Sequence, residues 1–89
     1  MFPAELVGAK VLYYTPQGDY GAIEYPNGEI ADYYRYLAIC KYIDDDNCYL
    51  FCCNENYEVV SDWLDDDIES CMQVANSSYK NNIVWIKVL

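Results

Sequence analysis

Short segments of β-branched and aromatic residues separated by turn residues dominate the first third of the chain. Lys10–Thr15 reads as a strand and runs into Pro16–Asp19, where Pro presets φ and Gly accepts positive φ. We expect Tyr20–Tyr25 to be the return strand, ended by a second turn at Pro26–Gly28. Glu29–Asp32 is predicted to be a brief strand or a loop.

Four further segments predict strands in the rest of the chain. Tyr34–Tyr42 alternates, so Tyr34 and Tyr36 should share one face with Ala38, Cys40 and Tyr42, while Tyr33, Arg35, Leu37, Ile39 and Lys41 take the other. Cys48–Cys53 is almost continuously apolar, which is typical of a central strand covered on both faces. Tyr57–Ser61 is predicted as a short strand and Ile83–Leu89 as the final one.

One segment has helical rather than strand periodicity. Its apolar positions form a single stripe at i, i+4, i+7, i+8, i+11 and i+15: Leu64, Ile68, Cys71, Met72, Ala75 and Tyr79. Asp65–Asp67 would then occupy the first turn, where the helix macrodipole favours negative charge. Asp66 and Glu69 have capping-box spacing, although Asp62 or Asp65 serves equally well as the cap.

The end of this helix is predicted from its polar residues. Lys80 lies near the C-terminus, and Asn81 or Asn82 can adopt the left-handed conformation that ends a helix. Together the elements predict an α+β fold for one domain, residues 1–89: an antiparallel meander of five to six strands with one amphipathic helix packed across it. We expect the core to bury six residues: Ile39, Leu50, Ile68, Met72, Ala75 and Trp85.

Composition limits the classes of partner. Hydrophobic residues make up 54% of the 89 residues, which argues against disorder. Fifteen Asp and Glu against five Lys and Arg give a net charge of -10, which excludes passive binding to nucleic acid or to anionic membranes. The start of the chain lacks a basic segment and an apolar run typical of a signal peptide, so we expect a cytoplasmic protein.

Candidate chemistry is sparse. His, the commonest general base and transition-metal ligand, is absent. The five cysteines fall in apolar segments, so they are expected to be buried free thiols, although Cys48 and Cys52 have zinc-type spacing. Asp44–Asp46 lacks the calcium-loop pattern, and no thiol has an evident activating base. We therefore expect no metal, no cofactor and no enzymatic activity.

Acidic runs and tyrosines are the remaining functional signal. Tyrosine, of which the chain has eleven, provides rigid contact area with a polar tip. We therefore predict that a basic protein partner binds carboxylates of Asp44, Asp45 and Asp46 or of Asp65, Asp66 and Asp67, with Tyr33, Tyr34 and Tyr36 as anchors. The first acidic run is the better candidate, because helix capping already accounts for acids in the second.

Four motifs in the second half resemble a pattern in small acidic bacterial immunity-type proteins, which accompany polymorphic toxins. They are Tyr49-Leu50-Phe51-Cys52, Ser61-Asp62-Trp63, Asp67-Ile68-Glu69-Ser70 and Trp85. The resemblance covers about half the chain and brings no catalytic residue with it. It implies a small cytosolic inhibitor that occludes a basic toxin or enzyme surface.

Two other functions fit the same composition. A phage-type nucleic-acid mimic, such as an anti-CRISPR or anti-restriction inhibitor, would present carboxylates in place of phosphates to a nucleic-acid-binding protein. A homo-oligomeric structural protein, for example a homodimer, would associate through the tyrosines. A continuous array of acids favours the mimic, whereas two separate acidic poles at Asp44–Asp46 and Asp65–Asp67 favour the immunity-type inhibitor.

Overall fold

This computed structural model describes residues 1–79 and 82–88, which contain eight strands and one helix. In chain order they are β1 Glu5–Leu6, β2 Ala9–Tyr14, β3 Ala22–Glu24, β4 Ile30–Tyr33, β5 Tyr36–Lys41, β6 Cys48–Cys53, β7 Val59–Asp65, α1 Ile68–Ser78 and β8 Ile86–Lys87. The helix packs on a curled antiparallel sheet. This confirms the predicted α+β class.

The six-stranded sheet has the order β1-β2-β5-β6-β7, and β8 also pairs with β2. The sequence predicted that the strand after β2 returns beside it, and this prediction is wrong: β3 pairs with β4 in a separate two-stranded sheet. β5 takes the place beside β2. β5 and β6 are buried for most of their length, whereas every residue of β3 and β4 keeps some exposure. The apolar strand therefore occupies the interior, and the β3–β4 hairpin stays outside it.

Side chains on both faces of the sheet are buried. The buried cluster between the sheet and the helix, which we call the helix-side core, consists of Tyr20, Leu37, Ile39, Cys48, Leu50, Cys52, Cys71 and Ala75. Those on the other face, the outer-face core, are Leu6, Ala9, Val11, Ala38, Cys40, Phe51 and Cys53. β6 contributes to both, which confirms the central strand predicted from its apolar sequence.

The helix starts later than its apolar stripe predicts. Asp67 is the N-cap and its carboxylate accepts a hydrogen bond from the Ser70 backbone N–H at 2.8 Å. Asp62 and Asp65 lie in β7, so neither is the cap, and the Asp66–Glu69 capping box does not form. β7 runs this far because the whole of β6 offers it a hydrogen-bonding partner, from Cys53 back to Cys48.

Half of the predicted core is fully buried. Ile39, Leu50 and Ala75 are fully buried, whereas the three other predicted residues, Ile68, Met72 and Trp85, are partly buried against the helix-side core. Leu64 is 52% exposed because it belongs to β7 and not to the helix. Within the described residues, no helix is long and apolar enough to cross a membrane.

Within the described part of the predicted last strand, residues 83–88, the strand β8 covers Ile86–Lys87 and pairs with Tyr13 and Tyr14. Asn82 has a φ of 58°, the left-handed conformation expected where a helix ends. Lys80, Asn81 and Leu89, to which the sequence also assigned roles, lie outside the described residues.

Candidate functional site

The two acidic runs lie at the same end of the sheet. Asp65 is opposite Cys48 in the β6–β7 ladder, and Cys48 directly follows the turn that contains Asp44–Asp46. The run Asp65–Asp67 therefore starts next to the first residue of β6, just after the β5–β6 turn. We call these six residues, Asp44–Asp46 and Asp65–Asp67, the acidic end. The two acidic runs therefore do not form two separate poles, because the pairing of β6 with β7 brings both to one end of the sheet.

Within the first run the three carboxylates have different roles. Asp45 is half-buried, its Oδ1 accepts from the Asn47 backbone N–H at 2.9 Å, and its own N–H donates to the Tyr42 carbonyl at 3.2 Å. Its side chain therefore shapes the β5–β6 turn. Asp44 and Asp46 are exposed on either side of it. These two are the members of the run that a partner can reach.

The second run is divided in the same way. Asp65 Oδ1 accepts from the Asp66 N–H at 2.8 Å, and Asp65 Oδ2 accepts from the Trp63 Nε1 at 3.3 Å. Asp67 caps α1, and its hydrogen bonds from the backbone and side chain of Ser70 lower the pKa of the Asp67 carboxyl. Asp66 is exposed. Within the acidic end, Asp44, Asp46 and Asp66 are thus the carboxylates with the least evident structural role.

The three predicted tyrosine anchors are far from the acidic end. Tyr36 begins β5 and Lys41 ends it, just before the acidic turn. Five residue steps along a strand span roughly 16 Å. Tyr33 and Tyr34 precede Tyr36, so they lie still further along the chain from that turn. These tyrosines are not neighbours of the aspartates.

Each of these tyrosines has its own local contacts. Tyr33 is 44% exposed, with the Arg35 guanidinium 4.5 Å from its ring centroid. Tyr34 packs edge to face on Tyr79, 5.7 Å away, in contact with the helix-side core. This placement differs from the predicted alternation because β5 starts only at Tyr36.

Tyr36 belongs to an aromatic cluster on the outer face. Its ring lies 4.8 Å from that of Tyr57 and 5.6 Å from that of Phe2, and Phe2 stacks on Tyr14 at 4.5 Å. A hydrogen bond with Tyr57 and burial raise the pKa of Tyr36. The cluster ties the N-terminal segment to the sheet, which is a structural role.

Two other tyrosines lie beside the acidic end, and sequence reasoning missed both. Tyr42 and Tyr49 flank the acidic turn, and their rings meet edge to face at 5.4 Å. The Tyr42 hydroxyl donates to the Val7 carbonyl at 3.0 Å, which holds the turn against the β1–β2 connection. Their position in the sequence, immediately before and after the acidic turn, was the available signal.

Negative charge is distributed very unevenly. Residues 42–79 contain ten Asp and Glu and no Lys or Arg, whereas the remainder contains five of each. The first group builds β6, β7, α1 and their connections, and the whole net charge of -10 lies there. The cations in the described residues are Lys10, Arg35, Lys41 and Lys87, on or next to β2, β5 and β8. The molecule is therefore electrically polarised across its sheet.

β7 carries exposed apolar side chains, one of which, Leu64, sequence reasoning assigned to the helix. Trp63 is 51% exposed and faces the helix side, opposite Leu50, while Leu64 is 52% exposed on the other face, opposite Tyr49. A groove of about 390 Å³ separates Trp63 from α1. The alternation from Val59 to Asp65 was the signal for this strand, but the helical stripe beginning at Leu64 competed with it.

A larger groove of about 600 Å³ lies on the opposite, cationic side of the sheet. Lys10 and Lys41, which are directly opposite each other in the β2–β5 ladder, line it together with apolar Val11 and Val88. Glu5 is opposite Lys10 and also lines the groove. With one acid and two lysines in its lining, the groove has only a small net positive charge.

All five thiols are buried, as expected from their apolar segments. Desolvation raises the pKa of Cys52 to about 11 and the pKa of Cys53 and Cys71 to about 12. Thiols in this state are poor nucleophiles at neutral pH. Among residues 1–79 and 82–88, no three His, Cys, Asp or Glu side chains are grouped so as to hold a metal ion.

Comparison with known protein families, with curated proteins and with solved structures finds no match to this chain. Its function is therefore inferred from its surface. The surface features that set it apart are the acidic end, the confinement of net charge to residues 42–79 and the exposed side chains of β7.

Proposed function

We propose that this chain is a cytosolic acidic binding module that occludes a basic protein surface, either as an immunity-type inhibitor of a toxin or enzyme or as a nucleic-acid mimic. The observation that carries the proposal is the charge distribution: ten acids and no Lys or Arg in residues 42–79. A solubility role needs charge spread over the surface, with both signs interspersed. Charge of one sign on one half of a small domain instead favours a complementary partner.

The acidic end is the proposed centre of this surface. Asp44, Asp46 and Asp66 contact the partner, while Asp45, Asp65 and Asp67 hold the turn and the start of α1 in place. Tyr42 and Tyr49 take the anchoring role that the sequence assigned to Tyr33, Tyr34 and Tyr36, because they flank the acidic turn. Their rings are already fixed by contact with each other, so little side-chain entropy is lost on binding.

A nucleic-acid mimic is the second candidate, and the position of the acids favours it. The two runs form one acidic end, and Asp62, Glu58 and Glu55 continue the negative charge along β7 and the β6–β7 turn. Such a series of carboxylates is what a protein that binds phosphates would recognise. The partner is a basic protein in both cases. The two candidates differ in whether nucleic acid competes with this chain for the partner.

Capture from the cells that produce the protein tests the proposal. The immobilised full chain is compared with a variant that removes three acids of the acidic end: Asp44→Asn, Asp46→Asn and Asp66→Asn. A matched control removes three exposed acids of the first third of the chain: Asp19→Asn, Glu24→Gln and Glu29→Gln. Both variants change the net charge by the same amount, so only the position of the charge differs.

We expect wild type and the control to retain the same basic protein, identified by mass spectrometry, and the acidic-end variant to retain roughly a tenth or less. Equal retention by the two variants contradicts the proposal. A short nucleic-acid duplex added during capture then separates the two candidates. It releases the partner of a mimic and leaves the partner of an immunity-type inhibitor bound.

A further inference from the structure

β7 forms an open edge of the six-stranded sheet. Within residues 1–79 and 82–88 it pairs with β6 alone. At the other side of the sheet, β1 covers β2 at Ala9 and Lys10, and β8 covers it at Tyr13 and Tyr14. β7 is seven residues long, whereas β1 and β8 have two residues each. The outward backbone groups of β7 are thus the longest row of this sheet available to another strand.

The sequence of β7 lacks most of the devices that close such an edge. Val59–Asp65 contains no Pro, Gly, Lys or Arg, and its one register shift, between Cys52 and Cys53 of β6, lies at the Val59 end. Trp63 and Leu64 are half exposed on opposite faces. An added strand would cover part of both side chains. The edge is therefore suited to strand addition, with Asp62 and Asp65 as its charged residues.

The groove beside β7 has the lining that a long cationic side chain requires. Its volume is about 390 Å³, and Trp63, Asp65, Gln73 and Val74 are among the residues that line it. Trp63 offers a ring face for a guanidinium or an aliphatic stem. Each oxygen of the Asp65 carboxylate already accepts one hydrogen bond within the chain and keeps a second lone pair for the N–H groups of the guanidinium, so Asp65 serves both the local structure and the partner. Alternate side chains of a strand paired with β7 would point toward this groove, because Trp63 and Asp65 share the helix-side face.

A second copy of this chain is a poor occupant of the edge. Antiparallel pairing of two β7 strands about their centre, Asp62, places the two Asp62 residues opposite each other, and like charges so placed destabilise a sheet. Each copy also brings a net charge of -10. A basic strand is attracted by the same residues that repel a copy.

From these observations we infer that β7 binds an extended segment of a basic protein as an additional strand, with an arginine of that segment in the groove between Trp63 and α1. The inference rests on the proposed function, since it takes the partner to be basic, and it adds the mode and the place of binding. Backbone hydrogen bonds to β7 hold the segment, and the pairing of arginine with Trp63 and Asp65 selects its sequence.

The probe is a capped eight-residue peptide of alternating Arg and Val, added at low ionic strength to the ¹⁵N-labelled full chain. A matched peptide, N-methylated at every peptide bond, keeps the arginines but cannot donate backbone hydrogen bonds to β7. Binding is followed by amide chemical shifts and by hydrogen exchange of Val59–Asp65. We expect the unmodified peptide to slow exchange of β7 amides and to bind about tenfold more tightly than its methylated form.

Side-chain variants test the groove. Trp63→Ser and Asp65→Asn should each lower the affinity for the unmodified peptide roughly tenfold. Tyr25→Ser, which alters a side chain 56% exposed just beyond β3, should leave its affinity unchanged. Circular dichroism of each variant in the absence of peptide shows whether the variant is folded. If a variant does not fold, the hydrogen exchange of β7 amides in wild type still tests strand addition.

The outcomes separate this inference from the proposed function. Equal binding of both peptides with unchanged β7 exchange overturns strand addition and leaves a charge-based partner surface intact. Failure of both peptides to bind overturns the inference, and the capture experiment decides separately whether the proposed function fails. Protection of β7 amides that rises with concentration of the chain alone shows that a second copy occupies the edge, and that result also overturns the inference.

Discussion

Asp65 lies directly opposite Cys48 in the antiparallel β6–β7 ladder. This single register position brings the carboxylates of the β5–β6 turn to the same end of the sheet as those that precede α1. β7 is also the last strand in the order of this sheet, with Trp63 and Leu64 exposed beside the acids. The acidic end and the open edge therefore adjoin each other.

The central strand should dominate stability. Leu50 is fully buried in the helix-side core, whereas Met72 is only partly buried against it. Leu50→Ala should lower the free energy of unfolding by about 2–5 kcal/mol, because it leaves a cavity beneath the helix. Met72→Ala should cost less, because water already reaches part of that side chain. Urea unfolding of the two variants provides the comparison, and an equal cost at both positions contradicts this account of the core.

The cap of α1 should be sensitive to acid. Asp67→Ala is expected to lower the urea midpoint, because it leaves the Ser70 N–H without its side-chain acceptor. The pKa of Asp67 is lowered in the folded protein, so its contribution is present above the ordinary carboxyl pKa and is lost as pH falls through the folded value.

The matched control for this prediction is Asp66→Ala, which removes the neighbouring acid without removing the cap. Urea midpoints measured from pH 7 down to pH 2 should converge for wild type and Asp67→Ala as pH falls. The Asp66→Ala variant should follow wild type throughout. If Asp66→Ala destabilises more than Asp67→Ala, the cap has been assigned to the wrong residue.

Buried thiols should make the protein sensitive to alkali. Burial raises the pKa of Cys71 to about 12 and that of Cys52 to about 11. Below the ordinary thiol pKa these groups are protonated in both the folded and unfolded states, so their contribution is complete. As pH rises from there toward the folded values, only the unfolded state loses protons, and stability falls by about 1.4 kcal/mol per pH unit for each thiol.

Urea unfolding from pH 7 to pH 11 measures this slope. Cys71→Ala removes one titrating thiol, so its stability should decline less steeply above pH 9 than that of wild type. In the native protein at pH 7 a thiol reagent should react slowly, and all five thiols should react after unfolding. Rapid labelling of the native protein contradicts the burial of the thiols.

Hydrogen exchange should divide the molecule into a slow sheet and a fast hairpin. β6 is buried on both faces and has a paired strand on each side, so its amides should exchange most slowly. β3 and β4 form a two-stranded sheet whose residues all keep some exposure, so their amides should exchange much faster. Equal protection in β4 and β6 would show that the hairpin belongs to the core.

Local pattern predicted most of the fold. The apolar run Cys48–Cys53 indicated a strand buried on both faces, and the stripe from Ile68 to Tyr79 indicated which helix face packs on the sheet. The prediction from periodicity was wrong at Leu64, which fits the apolar stripe of the helix but lies in β7. The choice between helix and strand there depends on pairing with β6, a long-range contact that periodicity does not contain.

The candidate site was predictable only in part. Composition indicated acidic binding residues, and Asp44, Asp46 and Asp66 are indeed exposed. The sequence could not show that two runs about twenty residues apart share one end, because that follows from the β6–β7 register. For the same reason it could not show that Tyr33, Tyr34 and Tyr36 are distant from the acidic turn, which Tyr42 and Tyr49 flank.

The central claim, that a basic protein binds the acidic half of this chain, is tested most directly by the association rate constant measured at low and at physiological salt. The partner is the protein retained in the capture experiment, and the variants are the two charge-matched triples used there. We predict that association slows steeply with salt for wild type and for the control triple, while dissociation changes little. The acidic-end triple should associate slowly at low salt and respond less to added salt. Association that ignores salt in wild type, or that is slowed equally by both triples, would contradict the claim.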